Sequence, residues 1–435
     1  MGKDTGKTLA ATGPADLLRL IGGLARGILR RPISLDSGLV LSNWIRGVTR
    51  RRSDNVVINL LFKKLLLVTG RDLSEHILGQ PPSTQTYMEG PTKVRAMSFL
   101  APQGLTICHD RQWQRLRHFN VQVLSTGLDP ARQQAFLDQV HQAFARPVSG
   151  VNDVRECMGQ AMLGVVFGEQ AAPAHLAEDI PVLFGYVRSP LRRKILGGKE
   201  RGRRERFYAT LRQLWRDTRG AQHPSLLATA QGMAQGEDYD EEELLQQIPH
   251  WMFTFTGSGT DLLARTLAVV GARPQVADKV REEIAAAGPL DQPFSIDQLD
   301  YLEACLRETC RLFPPVTSAF HVAPQGDRFG DTSIPAGVEI CHYFPLSHRD
   351  VSADPRANHF EPERWLDPAN EARSSYPNLF LSGARACPGE GLILFICKAA
   401  IAILLDQRRI RVHSDLLSRD PLPFSFPQKE VRFTN

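Results

Sequence analysis

The hydrophobic and polar positions along the chain predict a mainly helical protein with a small β region. Two runs rich in leucine and β-branched residues between Val56 and Val68 predict two short strands, and residues 72–78 return to a helical period. Helical patterns dominate from there to about residue 290. Short strands with proline and glycine between them follow Pro314-Pro315 and continue to about residue 345. Since no internal repeat or low-complexity linker is present, we expect a single domain.

One segment, Asp238 to Val270, is unusually long for a helix of a soluble protein. Acidic residues fill its first turn, where they complement the helix dipole. At about 1.5 Å per residue it would extend for about 50 Å. Its middle, Phe253 to Leu263, contains two glycines and several hydroxyl side chains, and each glycine weakens a helix by about 1 kcal/mol relative to alanine. This weakening indicates close packing or a bound ligand.

The C-terminal third predicts two further helices separated by a long loop. The capping-box spacing of Ser295 and Gln298 predicts that a helix begins near Ser295, and Pro314-Pro315 should end it. Residues 360–387 show little periodicity, which predicts a long loop. Residues 391–405 are almost entirely apolar and predict the last helix.

Composition and charge narrow the class of protein. The 435 residues are 42% hydrophobic and 23% charged, which excludes a disordered chain, a collagen-like repeat and a coiled coil. The net charge is +5, and residues 1–60 alone hold ten Lys/Arg against four Asp/Glu. We therefore describe residues 1–55 as a basic N-terminal segment, part of or appended to a domain that spans residues 56–435. Without interleaved aromatic residues this segment does not predict nucleic-acid binding, and a solvated arm explains it better than a lipid or protein contact.

The sequence predicts a cytoplasmic protein with no transmembrane segment. No stretch approaches the roughly 20 uncharged apolar residues that a spanning helix needs, since arginines interrupt residues 17–29 and lysines interrupt residues 55–69. The N-terminal residues lack the pattern of a signal peptide. The seven cysteines are odd in number and show no C-x-x-C spacing, which favours neither a disulfide framework nor a zinc ribbon.

Cys387 differs from the other cysteines because it lies on a short glycine-containing loop directly before the predicted last helix. Backbone amides at a helix start and the positive end of the helix dipole favour the thiolate form of a cysteine. Arg385 adds a cation two residues earlier. A buried structural cysteine is the alternative, and it is the commoner case for a single cysteine.

The run that contains Cys387 favours a ligand over a structural cysteine. Residues 380–389, Phe-Leu-Ser-Gly-Ala-Arg-Ala-Cys-Pro-Gly, resemble the haem-ligand signature F-x-x-G-x-R-x-C-x-G of the cytochrome P450 family at every fixed position. Chance gives such a match in a chain of this length with a frequency of about 10⁻⁴. Residues 308–315 resemble the E-x-x-R helix of that family and its Pro-Pro turn, and residues 360–365 resemble its P-E-R-F loop. The resemblance implies the cytochrome P450 fold and haem b, iron protoporphyrin IX, with the thiolate of Cys387 as the iron ligand.

The resemblance also implies residues that support the haem. Phe380 would pack beside the ligand, and Gly383 and Gly389 would let the backbone turn close to the iron. A structural brace would hold the loop, with both Glu308 and Arg311 bonded to Arg364. The haem propionates would be bound by four residues, of which the last replaces an arginine common in the family: Trp113, Arg117, Arg385 and His321.

The long helix departs from the family pattern [A/G]-G-x-[D/E]-T, whose acid and threonine handle protons during oxygen activation. One frame places residues 258–261 on the first four positions, with Asp261 as the acid and Leu262 at the threonine position. A second frame puts Thr260 on the threonine but Gly259 on the acid. We prefer the first frame, because residues 264–267 then continue the family pattern. A plain i,i+4 ion pair between Asp261 and Arg265 is the structural alternative.

The resemblance predicts a soluble, bacterial-style haem-thiolate monooxygenase that inserts one oxygen atom from O₂ into a hydrophobic small molecule of secondary metabolism. Leu262 at the threonine position keeps open a non-oxygenase reaction, such as oxidative ring formation, a dehydration-like step or nitrene-type transfer. A haem-binding sensor is a third possibility. Since the sequence ends soon after the last family helix, we expect electrons from a separate ferredoxin or flavodoxin.

A basic stretch leaves the charge of the substrate open. Residues 188–206 contain nine Lys/Arg against two Glu, and they lie where the resemblance places the lid of the substrate pocket. A solvated basic face is the default explanation. The alternative is a lid that attracts an anionic substrate.

Overall fold

The computed structural model describes most of the chain. The described residues are 9–19, 37–51, 54–60, 63–125, 129–168, 173–188, 190–218, 224–235, 239–367, 376, 378–407 and 410–434. Only the backbone is described at residues 37–42, 60, 83, 174, 177, 181, 186–188, 190–200 and 407. Residues 14–19 are also helical.

Helices account for most of the described secondary structure, as predicted. The strands are β1 Ala10–Ala11, β2 Asn55–Leu60, β3 Lys63–Val68, β4 Met88–Glu89, β5 Ser318–Val322, β6 Asp327–Phe329, β7 Thr332–Ile334, β8 Glu339–Tyr343, β9 Arg411–His413 and β10 Arg432–Thr434. The helices are α1 Ser37–Arg51, α2 Arg71–Gly79, α3 Pro91–Met97, α4 Asp110–Ser125, α5 Pro130–Phe144, α6 Val151–Phe167, α7 Ala174–Arg188, α8 Pro190–Asp217, α9 Leu226–Ala234, α10 Glu241–Leu245, α11 Ile248–Thr254, α12 Thr260–Gly271, α13 Pro274–Ala287, α14 Pro293–Asp297, α15 Asp300–Leu312, α16 Phe344–Ser347 and α17 Glu390–Gln407. A π-helical turn, Phe255–Gly259, joins α11 to α12.

The first of two compact units comprises residues 1–93, 316–357 and 381–386. It contains a six-stranded sheet in the order β1-β2-β3-β8-β5-β4. The predicted strand pair forms the antiparallel hairpin β2–β3, and β8 continues the sheet parallel to β3. Strand β5 is antiparallel to both β8 and β4. This arrangement places the end of β4 beside β5, the strand that carries the predicted site residue His321.

The second unit comprises residues 94–315, 358–380 and 387–434, together with Asn435, which lies outside the described residues. Its core is a continuous apolar cluster drawn from helices α4 to α15 and from α17. Helix α17 is buried over nearly its whole length, which explains why residues 391–405 carry almost no polar side chains. The stretch from residue 360 to 387 forms no α-helix or extended strand in its described part, in agreement with the predicted loop.

The long helix predicted for residues 238–270 is wrong as a single continuous element. Asp238 lies outside the described residues, and the helix is interrupted by a turn at residues 246–247 and by the π-helical turn. Pro249 stands in the first turn of α11, where its missing N–H costs nothing, whereas inside a helix it would break a hydrogen bond. The glycines mark close packing as predicted, since a Cβ at Gly259 would lie only 2.6 Å from the Ile393 side chain.

The predicted helix start near Ser295 is also wrong. Ser295 lies inside the short helix α14, which begins with Pro293 at a position that suits proline. The chain then turns at Gln298 and restarts as α15 at Asp300. The capping-box spacing therefore does not mark a helix start. The predicted end is confirmed, because α15 stops at Leu312 before the two prolines.

Candidate functional site

The Cys387 loop positions the sulfur at the start of α17. The Cys387 N–H donates to the Phe380 carbonyl at 2.7 Å, which closes the loop. Cys387 is exposed, whereas the six other cysteines are buried. The Gly389 N–H lies near the sulfur and lowers the pKa of the thiol, which is the amide effect that the loop position predicts.

The pKa of Cys387 results from opposing effects. The surrounding protein atoms raise the pKa of the thiol, and the Gly389 N–H and the Arg117 cation lower it without fully offsetting that rise. A thiol of this kind is protonated in the protein alone, and a metal cation deprotonates a coordinating thiol outright. The raised pKa is therefore compatible with Cys387 as a metal ligand.

Arg117 and Trp113 lie on α4 in the same unit as Cys387. Trp113 is partly buried against the apolar core. Burial lowers the pKa of the Arg117 guanidinium, and the charge of Cys387 acts in the opposite direction. The i,i+4 spacing of the two residues places them on one face of α4.

Gly383 and Arg385 belong to the first compact unit. Gly383 has φ +57°, a left-handed conformation that favours glycine, so its predicted role in turning the backbone is supported. Gly389 is not among the described glycines with positive φ, and a Cβ there would meet Phe255 at an ordinary 3.8 Å. The glycine at 389 is therefore not required by backbone conformation, and its N–H is the group that contacts the sulfur.

Arg385 is nearly buried, and its guanidinium is held in three places. It donates to the Gln80 carbonyl at 3.1 Å, the Tyr87 carbonyl at 2.7 Å and the Glu89 carboxylate at 2.8 Å. A guanidinium has five N–H donors, so two remain for a further acceptor. Arg385 is thus oriented by the protein and still able to bind an anion.

His321 lies on β5 and is almost completely buried. Its Nδ1 has no hydrogen-bond partner, and burial, followed by the charges of Arg385 and other neighbours, lowers the pKa of its ring well below the usual value. An unpartnered buried nitrogen is costly, and a ligand bound there would remove that cost. His321 and Arg385 therefore remain together as candidate anion-binding groups.

The predicted brace is built around Glu308, whose side chain is fully buried. Its carboxylate accepts from Arg311 at 2.8 Å and from Arg364 at 3.2 Å. The prediction that Arg311 and Glu308 both bond Arg364 needs one correction: two guanidinium groups only donate, so Glu308 is the shared acceptor. Arg311 instead continues to the His359 carbonyl at 3.1 Å. Trp365, which sequence reasoning missed, also donates to Glu308 at 2.9 Å.

These features coincide with a match to a known family. The cytochrome P450 profile matches residues 201–434, which include the Cys387 loop and the Glu308 brace. The chain belongs to the cytochrome P450 family. Membership in this family implies a haem cofactor, as the sequence predicted.

Curated relatives carry cytochrome P450 or monooxygenase names. A "Cytochrome P450 monooxygenase 91" from Postia placenta is 33% identical over 44% of this chain and 40% of its own length. A cyclooctat-9-en-7-ol 5-monooxygenase from Streptomyces melanosporofaciens is 28% identical over 60% of this chain and 56% of its own length. The chain therefore matches about half of the length of these relatives.

The fold is shared with a solved cytochrome P450. The retinoic-acid-bound cyanobacterial CYP120A1 superposes with a TM-score of 0.72 at 18% identity, over 90% of this chain and 93% of the other. The predicted fold class, mainly α with a small β region, is confirmed. Among the described helices none is long and apolar enough to cross a membrane.

The described residues fit a haem with a thiolate ligand. When bound, haem supplies an iron centre that binds oxygen and passes electrons, and a thiolate ligand favours cleavage of the O–O bond. Cys387 would bind the iron, and the Gly389 N–H would stabilise the ligand sulfur. Arg385 and His321 would receive a propionate in one unit, and Trp113 and Arg117 are the candidates in the other.

Among the candidate residues of the long helix, Asp261 is ion-paired, whereas Leu262 and Thr260 are buried. The Asp261 carboxylate pairs with Arg155 at 3.2 Å and Arg265 at 3.1 Å, so the plain i,i+4 ion pair is present. Leu262 is buried in the apolar core. Thr260 is also buried, and its hydroxyl makes one long contact, 3.4 Å to the Phe255 carbonyl.

The basic stretch at residues 188–206 is described only in its C-terminal part, because the side chains up to residue 200 lie outside the described residues. Arg203 and Arg206 both bond Asp179, a fully buried carboxylate on α7. Burial would raise the pKa of Asp179, but the two arginines outweigh it and the pKa lies below its usual value. Two of the described cations therefore join α7 to α8. Sequence reasoning missed Asp179, because nothing in the local pattern marks a carboxylate that faces another helix.

Proposed function

We propose that the protein is a haem-thiolate monooxygenase that acts on a hydrophobic small molecule and receives electrons from a separate ferredoxin or flavodoxin. The observation that carries the proposal is the Cys387 loop, which the hydrogen bond from the Cys387 N–H to the Phe380 carbonyl closes at 2.7 Å directly before α17. The monooxygenase names of the relatives support the reaction class. We also propose that the protein acts in secondary metabolism in the cytoplasm. Residues 1–55 would form its basic N-terminal segment.

Labelled dioxygen tests the reaction class. With a ferredoxin and its reductase as electron donors, and a panel of terpenoid and aromatic compounds, we expect a product that carries one labelled oxygen atom. Product formation must stop without oxygen and without the electron donor. A product that forms without oxygen would favour the non-oxygenase alternative, and haem binding without any electron uptake would favour a sensor.

We also propose that Thr260, rather than Asp261, handles the proton in this protein. Three other hydroxyls of the segment are engaged within their own helix: Thr254 at 2.9 Å, Thr256 at 2.6 Å and Ser258 at 2.8 Å to carbonyls three or four residues earlier. The Thr260 contact is the longest of the four, so its Oγ1 proton is the easiest to redirect. The Asp261 carboxylate is already paired with Arg155 at 3.2 Å and with Arg265 at 3.1 Å. These contacts favour the second sequence frame.

Thr260→Val should lower the amount of product formed per electron consumed by about tenfold or more, since a positioned proton-transfer group contributes about 10²- to 10⁴-fold. Valine keeps the shape of threonine and removes only the hydroxyl, so haem content should not change. Product and hydrogen peroxide per electron are the quantities to measure. Leu262→Thr is the matched control: the first frame expects it to raise the yield, whereas we expect no gain. A gain in Leu262→Thr with no loss in Thr260→Val would restore the first frame.

We propose a hydrophobic substrate, and the described arginines do not require that it be anionic. Arg203 and Arg206 are engaged with Asp179, and Arg212 with Glu242 at 2.5 Å. Paired cations attract a distant anion less strongly than isolated ones. The two arginines of the stretch that pair with Asp179 therefore give little support to an anionic substrate.

A further inference from the structure

A buried group of charges surrounds Arg385 within the first compact unit. Glu89, at the end of β4, binds Arg385 through one carboxylate oxygen at 2.8 Å and Lys93 through the other at 2.8 Å. The side chains of Glu89 and Arg385 are 8% and 4% exposed, whereas Lys93 is 32% exposed. Glu89 thus connects a buried cation to one that reaches solvent.

The neighbouring histidines add no charge to this group. Glu89 lies directly opposite His321 in the β4–β5 pair, and opposite residues of an antiparallel pair share a face. His342 on β8 packs edge-on against His321, with ring centroids 5.1 Å apart. Burial lowers the pKa of His342 to about 3 and the pKa of His321 well below its usual value, and Arg385 adds to both effects. Both rings are therefore neutral at physiological pH.

We propose that Glu89 is a positioning residue that orients Arg385 towards a haem propionate and whose negative charge lowers the reduction potential of the haem. The inference rests on the proposed function, because it takes Arg385 to be the propionate-binding arginine. Glu89 fixes one edge of the guanidinium, and the Tyr87 and Gln80 carbonyls fix the rest. The two remaining N–H donors then have one orientation.

The charge balance gives the direction of the effect. Arg385 and Lys93 contribute two positive charges and Glu89 one negative charge, so a single ionised propionate makes the group neutral. Without the charge of Glu89 the group would keep a net positive charge beside the haem. Ferrous haem carries one positive charge fewer than ferric haem, so a positive environment favours reduction. The side chains of Glu89 and Arg385 are shielded from water, which strengthens their electrostatic effect on a bound haem.

Glu89→Gln tests the inference, since glutamine removes the charge and keeps an oxygen that can accept from Arg385. Its N–H₂ group then faces Lys93, which is 32% exposed and can turn to solvent. We expect the equilibrium constant for one-electron reduction of the haem to rise by about tenfold, which corresponds to about 59 mV. The potential is measured by spectroelectrochemical titration of the haem-loaded protein. Lys93→Gln removes the cation on the other oxygen of Glu89 and should shift the potential in the opposite direction by a smaller amount. The matched control is Glu75→Gln, which breaks the exposed Arg71–Glu75 pair on α2 and should leave the potential unchanged.

The opposite signs of the two shifts separate the proposal from a merely structural role. Equal potentials in the wild type and in both the Glu89 and Lys93 variants, or shifts of the same sign in those two variants, would overturn it. If Glu89→Gln does not fold, Lys93→Gln still decides, because an unchanged or raised potential in that variant contradicts the charge argument. A wild-type protein whose haem lacks a thiolate ligand would refute the proposed function instead, and the ferrous carbon monoxide spectrum recognises that case.

Discussion

Cys387→Ser should abolish the thiolate signature of the haem and with it the oxidation of any substrate. A serine hydroxyl stays protonated near neutral pH, so the Gly389 N–H would face a neutral oxygen instead of a sulfur anion. The ligand would lose the electron donation that favours O–O cleavage. The measurement is the position of the Soret band of the ferrous carbon monoxide complex, together with the haem content per chain. We expect the long-wavelength band of the wild type to disappear.

The control for this variant is Cys108→Ser in the same unit. The Cys108 sulfur donates to the Leu105 carbonyl at 3.3 Å, a contact that a serine hydroxyl can replace, and its spectrum should match that of the wild type. If Cys387→Ser kept the long-wavelength band, another cysteine would be the ligand. The six other cysteines are poor alternatives, because all of them are buried. Burial also raises the pKa of several of them, including Cys305 and Cys310.

Glu308→Gln should destabilise the protein strongly. The carboxylate accepts from Arg311, Arg364 and Trp365 and from the Glu361 N–H at 3.0 Å. A glutamine would turn an N–H₂ group towards these donors and leave the Arg311 cation, which is fully buried, without its counter-ion. Breaking a buried ion pair by removing one partner costs about 3–5 kcal/mol. Chemical denaturation followed by tryptophan fluorescence should show the loss, and haem retention should fall with it.

Glu361→Gln provides the matched comparison, because Glu361 binds the same Arg364 at 2.7 Å but is partly exposed. Water compensates the loss of such a pair, so we expect a change of less than about 1 kcal/mol. A similar change in both variants would contradict the view that Glu308 is the centre of the brace. The pair of variants thus distinguishes the buried acceptor from its exposed neighbour.

The local sequence pattern predicted several elements correctly, but it failed where tertiary packing determines where a helix begins or is interrupted. Strands β2 and β3 and helix α17 were predictable, because leucine-rich and β-branched runs and a long apolar run depend only on neighbouring residues. The start of α15 and the interruption of the long helix were not, although Pro249 and Pro293 gave usable signals. Residue spacing alone did not decide whether Asp261 and Leu262 or Gly259 and Thr260 occupy the acid and threonine positions of the family pattern. Our proposal in favour of the second frame rests on the long hydrogen bond of Thr260 and on the ion pairs of Asp261.

The sequence by itself determined the family, the haem cofactor and the thiolate candidate, because the Cys387 signature is contiguous and the chemistry of a thiol follows from its residue type. Only the tertiary structure decided the partners of the charged groups. Glu89 lies almost 300 positions before Arg385, and Asp179 faces two arginines of the next helix. No short-range pattern encodes such pairs, since a carboxylate on a helix or strand looks the same in sequence whether it meets water or a buried guanidinium. Burial makes the difference, because it converts a weak surface contact into an interaction that the fold cannot lose without an unpaired charge.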